Sequence, residues 1–294
     1  MENTKGYFTA KGKIWGLNEK EPMENSAVRM LSFGLQMSKD NSLFMQVGEW
    51  KNTTLNIKIK GEGMDKPEEV NEQDAIDEVK RTFKDGDSVF INARVQVDTF
   101  RKKLTFLVNQ IYIEKDPIDF DAKDFVETNE LNQVVVVTEK PENRKVKVGI
   151  TSYKGEMVEE ELELNDNDIK DYFDENVKVG DLIKLEISVK RTPHYIDGVE
   201  DAPVVKERKT LKGKSVHTGG GKGYRKADSY IESMEVTDVD LEKVEKQKYN
   251  RNEIREALQL TEDIQTKKEQ NSTPSDKTNH SAPSKAIDDE DIPF

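Results

Sequence analysis

The sequence contains no cysteine and only three histidines, His194, His217 and His280. A chain without cysteine has no disulfide, no thiol nucleophile and no thiolate metal ligand, and histidines this far apart do not predict a metal cluster. Its apolar runs fall short of the ~20 residues that a membrane helix needs, and its N-terminus lacks the basic start and apolar stretch of a signal peptide. We therefore expect a cytoplasmic protein without membrane, metal or cofactor.

Catalytic motifs are also lacking. The stretch HTGGGKG (217–223) is rich in glycine, but a phosphate-binding P-loop needs its Gly-Lys followed by Ser or Thr, between a strand and a helix. Here Tyr224 follows the last glycine and no helix pattern comes after it. No Gly-x-Ser-x-Gly elbow is present, and acids such as those of 159–168 are typical of a solvated strand face and a helix cap. We expect no enzymatic activity; a nuclease or nucleotide-using enzyme is the third alternative.

Charge is what the sequence has in excess. Charged residues make up 36% of the chain and hydrophobic residues 34%, so the core is divided into small units or part of the chain is unfolded. The net charge of −13 argues against a nucleic-acid partner, but charge is not evenly spread. Residues 204–226 hold eight basic side chains against Glu207 alone. Local charge, more than the net charge of the chain, decides what binds at a given place. This basic segment is therefore compatible with a polyanionic partner such as a nucleic acid.

Period-2 alternation indicates strands in the first region. In Thr9–Leu17, Lys11, Lys13 and Trp15 share one face and Ala10 and Ile14 the other. Further strands are predicted at 26–37, 53–61, 88–97 and 104–113, and a helix at 67–87, where apolar residues recur at helical spacing. The order is three strands, a helix and two strands.

The second region repeats this order. Strands are predicted at 132–140, 145–153, 156–164, 182–191 and 229–236, and a helix at 165–181. The phrase DGDSVFINARV (85–95) also matches VGDLIKLEISV (179–189). Five strands with a helix between the third and fourth are typical of the OB-fold. We therefore predict an all-β protein with a few helices, in which two tandem OB-fold barrels precede a charged helix and a disordered tail.

The predicted limits follow from these patterns. They are 1–115 for the first barrel, 116–238 for the second with a basic, Gly-rich insertion at 192–227, 239–265 for the helix, and 266–294 for a disordered linker and acidic tip. The helix is exposed or faces a partner. The linker is rich in Ser, Thr, Asn and Pro and has almost nothing to bury.

Outward cations and aromatic rings on the first barrel suit single-stranded nucleic acid, because cations neutralise phosphates and rings stack on unpaired bases. The candidate contacts there are Lys11, Lys13, Trp15, Phe44, Trp50, Lys58, Lys60, Phe90 and Arg94. Phe44 and Trp50 are expected on the connection between the second and third strands, and Phe33 in the core. The alternative is that outward lysines are merely solvated and that Trp15 caps a barrel end.

Similar residues mark the second barrel. The candidate contacts there are Lys145, Lys147, Tyr153, Lys184, Lys190 and, in the insertion, Tyr195, Arg208, Lys209, Lys212, Lys214, Lys222, Tyr224 and Arg225. The insertion has the length, charge and rings to fold over a polynucleotide, and its alternative interpretation is a solvated loop.

The chain ends in four acids followed by an apolar tripeptide: Asp288, Asp289, Glu290, Asp291, Ile292, Pro293 and Phe294. OB-folds, a polar linker and such a tip resemble the single-stranded DNA-binding proteins of bacteria and their phages. The resemblance implies that the tip binds replication, recombination and repair proteins, with the Phe294 ring in an apolar pocket and the acids on basic rims. Ordinary bacterial members carry one OB-fold per chain, so the two predicted here are more similar to a phage replication protein.

We therefore predict a non-enzymatic protein that binds and protects single-stranded DNA during replication, recombination and repair, and that recruits partners through its tip. The alternative is an OB-fold adaptor that binds proteins and has little affinity for DNA.

Overall fold

The computed structural model describes residues 1–24, 28–50, 56–99, 101–194, 207–209, 215–217 and 229–271. The chain divides into two compact units, Met1–Arg191 with Glu232–Ser275, and Thr192–Ile231 with Asp276–Phe294. Both barrels belong to the first unit. In the second unit, the described residues include a two-stranded antiparallel sheet in which Arg208 pairs with Val216.

The first barrel is built from eight strands and one helix: β1 (Gly6–Trp15), β2 (Met23–Glu24), β3 (Val28–Gln36), β4 (Ser42–Trp50), β5 (Asn56–Lys60), β6 (Glu68–Asn71), α1 (Ala75–Thr82), β7 (Ser88–Asp98) and β8 (Lys103–Ile113). Strands β1, β3, β4, β8 and β7 pair in that order, and β7 pairs back to β1, which closes the ring. The β4–β8 pair is parallel and the others are antiparallel. This is the pairing of an OB-fold, whose five barrel strands are here β1, β3, β4, β7 and β8. Helix α1 lies between the third and fourth of these five, β4 and β7.

The second barrel and the following segment contain β9 (Asn129–Val137), β10 (Lys145–Thr151), β11 (Met157–Glu163), α2 (Asn167–Asn176), β12 (Leu182–His194), β13 (Glu207–Lys209), β14 (Ser215–His217), β15 (Ser229–Glu245) and α3 (Arg251–Asn271). Strands β9, β10, β11, β15 and β12 close a second ring with the same pattern, in which β11–β15 is the parallel pair. The all-β fold class with few helices is thus confirmed. The barrel limits expected at 115 and 238 stay predictions.

Strands β1 and β9 join the two barrels. The first half of β1 pairs with the first half of β9, from Gly6 opposite Gln133 to Ala10 opposite Asn129. The second half of each strand turns to its own barrel, where β1 pairs with β3 and β9 with β10. The alternating side chains of both barrels consequently bury one continuous hydrophobic core.

The matching phrases occupy equivalent places. In the first barrel the amide of Ile14 donates to the Asp87 carbonyl (3.0 Å), and Gly86 donates back to Ile14 (2.8 Å). In the second barrel Val137 donates to Asp181 (2.9 Å) and Gly180 to Val137 (2.8 Å). Both glycines have positive φ, at 92° and 93°, which glycine adopts at little cost. The Gly-Asp turn therefore marks the same hydrogen-bonded corner twice.

Three elements differ from the sequence predictions. Phe44 and Trp50 lie on β4, not on a connection, because Leu43, Met45 and Val47 alternate into the core. The predicted helix 67–87 contains a strand, β6, which pairs with β5 before α1 begins at Ala75.

The third difference lies after the second barrel. Strand β15 continues to Glu245, beyond the expected end at 236, and α3 begins at Arg251 and ends at Asn271. The start of α3 is fixed by a capping box. The Asn250 side chain accepts from the amides of Asn252 (2.9 Å) and Glu253 (3.1 Å), and Glu253 accepts from the Asn250 amide (2.8 Å).

Helix α3 docks on the second barrel through Ile254, Ala257 and Thr261. Ile254 and Ala257 pack with Met157 and Val136, and the Thr261 hydroxyl donates to the Met157 carbonyl (2.7 Å). No described helix has both the length and the apolar character needed to cross a membrane.

Candidate nucleic-acid interface

A row of three residues places two aromatic rings side by side on the outer face of the first barrel. Trp15 on β1 pairs with Gly34 on β3, and Gly34 pairs with Phe44 on β4. The rings of Trp15 and Phe44 are 5.5 Å apart at an angle of 59°. A Cβ on Gly34 would lie 1.8 Å from the Trp15 ring, so only glycine at this position leaves room for the indole.

Two cations contact the same rings. The Lys20 ammonium, from the segment between β1 and β2, lies 5.0 Å from the Phe44 ring centroid and 5.8 Å from that of Trp15. The Arg191 guanidinium, at the end of β12, lies 4.9 Å from the Phe44 centroid. These distances fall within cation–π range. We call Trp15, Lys20, Phe44 and Arg191 the aromatic cluster; it combines side chains of both barrels.

The outer face of β4 continues from Phe44 through Gln46 and Gly48 to Trp50. The Trp50 ring covers Gly48, where a Cβ would lie 2.5 Å from it. Trp50 comes six positions after Phe44, which is about 20 Å along a strand at ~3.3 Å per residue. Half-buried rings thus stand at both ends of one strand face. In OB-folds this face, formed by the second and third strands, is the one that binds oligonucleotides.

The other first-barrel candidates lie toward the edge of β1 that pairs with β7, away from β3 and the aromatic cluster. Lys11, Phe90, Tyr112 and Lys60 form one row across β1, β7, β8 and β5. The Phe90 and Tyr112 rings stack at 6.0 Å and 18°. Lys13, on the same face of β1 as Trp15, lies 5.1 Å from the Phe120 ring. The structure therefore separates the predicted contacts into two groups.

Among the described residues, seven of the predicted cations form ion pairs. The pairs are Lys11–Glu114 (3.0 Å), Lys58–Glu69 (3.5 Å), Arg94–Glu72 (2.6 Å), Lys145–Glu161 (2.5 Å), Lys147–Glu139 (3.1 Å), Lys184–Asp240 (3.2 Å) and Lys190–Glu235 (3.3 Å). Exposed pairs are worth ~0–1 kcal/mol, so a phosphate can replace the carboxylate. Arg94 differs because the carboxylate of Glu72 is buried and losing its cation is costly.

The second barrel carries different residues at the place of the aromatic cluster. Val137 is the equivalent of Ile14, so Thr138 stands where Trp15 does. The Thr138 amide donates to Lys147, which takes the place of Gly34, and Lys147 pairs with Glu161, which takes the place of Phe44. The first barrel thus presents the row Trp-Gly-Phe where the second presents Thr-Lys-Glu. In the second row, Lys147 pairs with Glu139, and Glu161 pairs with Lys145.

One position further, a partly buried carboxyl group lies on the inward face of β11. Glu160 pairs with Val148, on the same face of β11 as the buried Val158 and Leu162. Its equivalent in the first barrel is Leu43, which pairs with Leu35. Burial, with a smaller contribution from the Glu232 carboxylate, raises the pKa of Glu160 to about 7.

The remaining predicted contacts are only partly described. Tyr153 lies in the turn between β10 and β11 and is 79% exposed. Arg208 and Lys209 lie on β13. The other candidates lie outside the described residues: Tyr195, Lys212, Lys214, Lys222, Tyr224, Arg225 and the tip, Asp288, Asp289, Glu290, Asp291, Ile292, Pro293 and Phe294. All of them stay predictions.

Sequence reasoning did not select Lys20 or Arg191. Lys20 could have been found, because it follows the first strand, and the segment between the first two OB-fold strands commonly contacts ligands. Arg191 carries no local signal, since it reaches Phe44 only through the packing of one barrel on the other.

A family model described as YorF matches residues 6–272, and the chain belongs to the YorF family. None of the curated proteins compared matches it. Among solved structures, the wild-type single-stranded DNA-binding protein from Thermus aquaticus is 10% identical with a TM-score of 0.38, over 65% of this chain and 87% of that one. A deletion mutant of the same Thermus aquaticus protein is 10% identical with a TM-score of 0.36, over 68% of this chain and 97% of that one.

Proposed function

We propose that this member of the YorF family binds single-stranded DNA across the outer face of β1, β3 and β4 of its first barrel. The observation that carries the proposal is the aromatic cluster, in which Trp15 and Phe44 lie side by side next to Lys20. Unpaired bases stack on such rings at ~1–3 kcal/mol each, whatever their sequence.

Cations beside the rings would supply the second half of the interaction. Lys13 lies two residues before Trp15 on the same face of β1, and Lys20 contacts both rings. Lysine carries its charge on a flexible stem, so its ammonium can turn from a ring to a phosphate when a strand enters. No ion pair is found for Lys13 among the described residues, so its charge is available to a phosphate.

The second barrel supports the proposal by contrast. At the equivalent place it carries Thr138, Lys147 and Glu161, and Glu139 pairs with the lysine. This row offers no ring to a base and brings carboxylates toward a polyanion. We assign it no stacking role and place the DNA on the first barrel.

We further propose that the protein has no enzymatic activity, that it protects exposed strands during replication, recombination and repair in a phage or bacterial setting, and that the tip, residues 288–294, recruits partner proteins. These roles rest on the resemblance of the tip and of the tandem barrels to single-stranded DNA-binding proteins. The contacts predicted for the basic insertion belong to the same proposal.

Titration of the full chain with oligo(dT), followed by the fluorescence of Trp15 and Trp50, tests DNA binding. We expect quenching that weakens as salt rises, because phosphate contacts release counterions. Replacing Phe44 by alanine should lower the affinity by about five- to 150-fold, the equivalent of one lost stacked base. Replacing Lys13 by alanine should reduce the slope of log K against log salt by about 0.7, the value for one single-strand phosphate contact.

Lys145→Ala is the matched control on the second barrel. Lys145 is half exposed and pairs with Glu161, so its removal should leave both affinity and slope unchanged. If Lys145→Ala weakens binding as much as Lys13→Ala, the DNA does not lie on the first barrel alone. If the wild-type protein ignores oligo(dT) at low salt, the proposal is wrong.

A second candidate function is an OB-fold adaptor that binds proteins and has little affinity for DNA. The observation favouring it is that carboxylates already neutralise seven of the predicted cationic contacts. An adaptor should show no salt-dependent quenching by oligo(dT) and should capture partners with its barrels after the tip has been removed.

A further inference from the structure

We infer that Asn41 is a positioning residue for the DNA-binding face, acting through Arg191 of the second barrel on the Phe44 ring of the first. The inference rests on the proposed function and adds a coupling between the barrels to it. The buried side chain of Asn41, in a turn of the first barrel, would fix the position of Arg191 of the second barrel, and Arg191 would in turn hold the Phe44 ring in place for stacking.

The Asn41 side chain connects three segments. It is 4% exposed and lies in the turn between β3 and β4. Its Nδ2 donates to the Glu127 carboxylate (2.6 Å) and to the Val189 carbonyl (3.1 Å), and its Oδ1 accepts from the Arg191 amide (2.9 Å). Both hydrogens and the oxygen of the Asn41 side-chain amide are thus bonded to residues that lie outside the β3–β4 turn.

These bonds replace a missing strand partner. The ladder between β9 and β12 ends with Ile187 opposite Leu131. Beyond it, buried backbone groups of β12 need other partners. Asn129 accepts from the Val189 amide (3.2 Å), and Asn41 accepts from the Arg191 amide (2.9 Å). Asn129 thus extends the contact of β12 with β9 inside the second barrel, and Asn41 ties the end of β12 to the first barrel.

Arg191 converts this anchoring into a contact with the site. Its guanidinium lies 4.9 Å from the Phe44 centroid, and its Nε donates to Glu232 (3.3 Å). The side chain is only 5% exposed, so it is poorly placed to meet a phosphate. Instead, Arg191 restricts where the Phe44 ring can lie. Its backbone amide is held by Asn41 and its guanidinium by Glu232, so the cation itself has little freedom to move.

The experiment combines Asn41→Ala with Arg191→Gln in the full chain and measures oligo(dT) affinity against salt. Each single substitution should lower the affinity by roughly three- to thirtyfold, the range of a partly buried cation–π contact. Because Asn41 acts through Arg191, adding Asn41→Ala to Arg191→Gln should change the affinity less than about twofold, a non-additivity typical of directly coupled residues. The salt slope should stay at the wild-type value in all three variants, unlike that of Lys13→Ala.

A neutral control and a rescue variant separate a specific effect at Asn41 and Arg191 from a general loss of structure. Asn165→Ala, which removes an exposed asparagine bonded to Glu163, should leave binding unchanged, and Arg191→Lys should recover part of the affinity because it keeps a cation near the ring. Circular dichroism establishes that each variant is folded. Should Asn41→Ala weaken the Arg191→Gln protein as much as the wild type, or not weaken binding at all, the inference fails while the effect of Phe44→Ala still supports DNA binding. Wild-type protein that does not bind oligo(dT) would overturn both.

Discussion

Replacing Glu160 by glutamine should make the folded protein more stable at neutral and alkaline pH. Glu160 is partly buried on the same face of β11 as Val158 and Leu162, and the equivalent residue of the first barrel is Leu43. Burial raises its pKa from 4.5 to about 7. The folded state therefore resists ionisation that the unfolded chain accepts freely.

The sign and size follow from linkage between ionisation and folding. Because the pKa is higher in the folded state, the stability contributed by this group is complete below about pH 4.5 and is lost as pH rises through about 7. A difference of about 2.5 units at 1.36 kcal/mol per unit gives about 3 kcal/mol lost by pH 8. Glutamine matches the neutral carboxyl in shape and cannot ionise, so Glu160→Gln should avoid this loss.

Urea unfolding of the wild type and Glu160→Gln between pH 5 and pH 8.5 measures the effect. We expect similar free energies of unfolding near pH 5 and a variant about 3 kcal/mol more stable near pH 8, with an unchanged m-value. Glu160→Leu introduces the residue type found at the equivalent position of the first barrel. Its free energy of unfolding near pH 8 should also exceed that of the wild type. Glu161→Gln is the control, since that exposed carboxylate pairs with Lys145. Parallel stability curves for wild type and Glu160→Gln would refute the reasoning.

Three further predictions concern the rings, the C-terminal helix and the tip. Gly34→Ala should displace the Trp15 ring, lower stability by about 1–3 kcal/mol through overpacking and weaken oligo(dT) binding; an unchanged Trp15 emission spectrum and affinity would contradict it. Asn250→Ala should remove the cap of α3 and lower the free energy of unfolding by about 1 kcal/mol, measured in urea, and equal midpoints would show that the cap is dispensable. Deleting residues 292–294 should abolish capture of replication and repair partners in a pull-down while oligo(dT) affinity stays equal or rises; capture that survives the deletion would locate the partner site elsewhere.

Local patterns predicted most of the barrel architecture. Period-2 alternation gave β1 with Lys11, Lys13 and Trp15 on one face, and that face is confirmed. The Gly-Asp phrase marked equivalent corners in both barrels. Strand β4 was missed although Leu43, Met45 and Val47 alternate, because the charged Glu49 continues its inward face and Gly48 interrupts its outward face. The candidate site could be predicted only as separate residues, of which Trp15 and Phe44 are brought together.

The sequence by itself determined which segments alternate and which residues are rings or cations, because these properties depend on neighbours a few positions apart. Tertiary structure alone decided that Trp15 and Phe44 meet across Gly34, that Arg191 reaches Phe44 from the other barrel, and that carboxylates pair with six of the predicted lysines. These outcomes depend on strand register and barrel closure. Register is set by the burial of residues far apart in the chain, so no short stretch of sequence contains it.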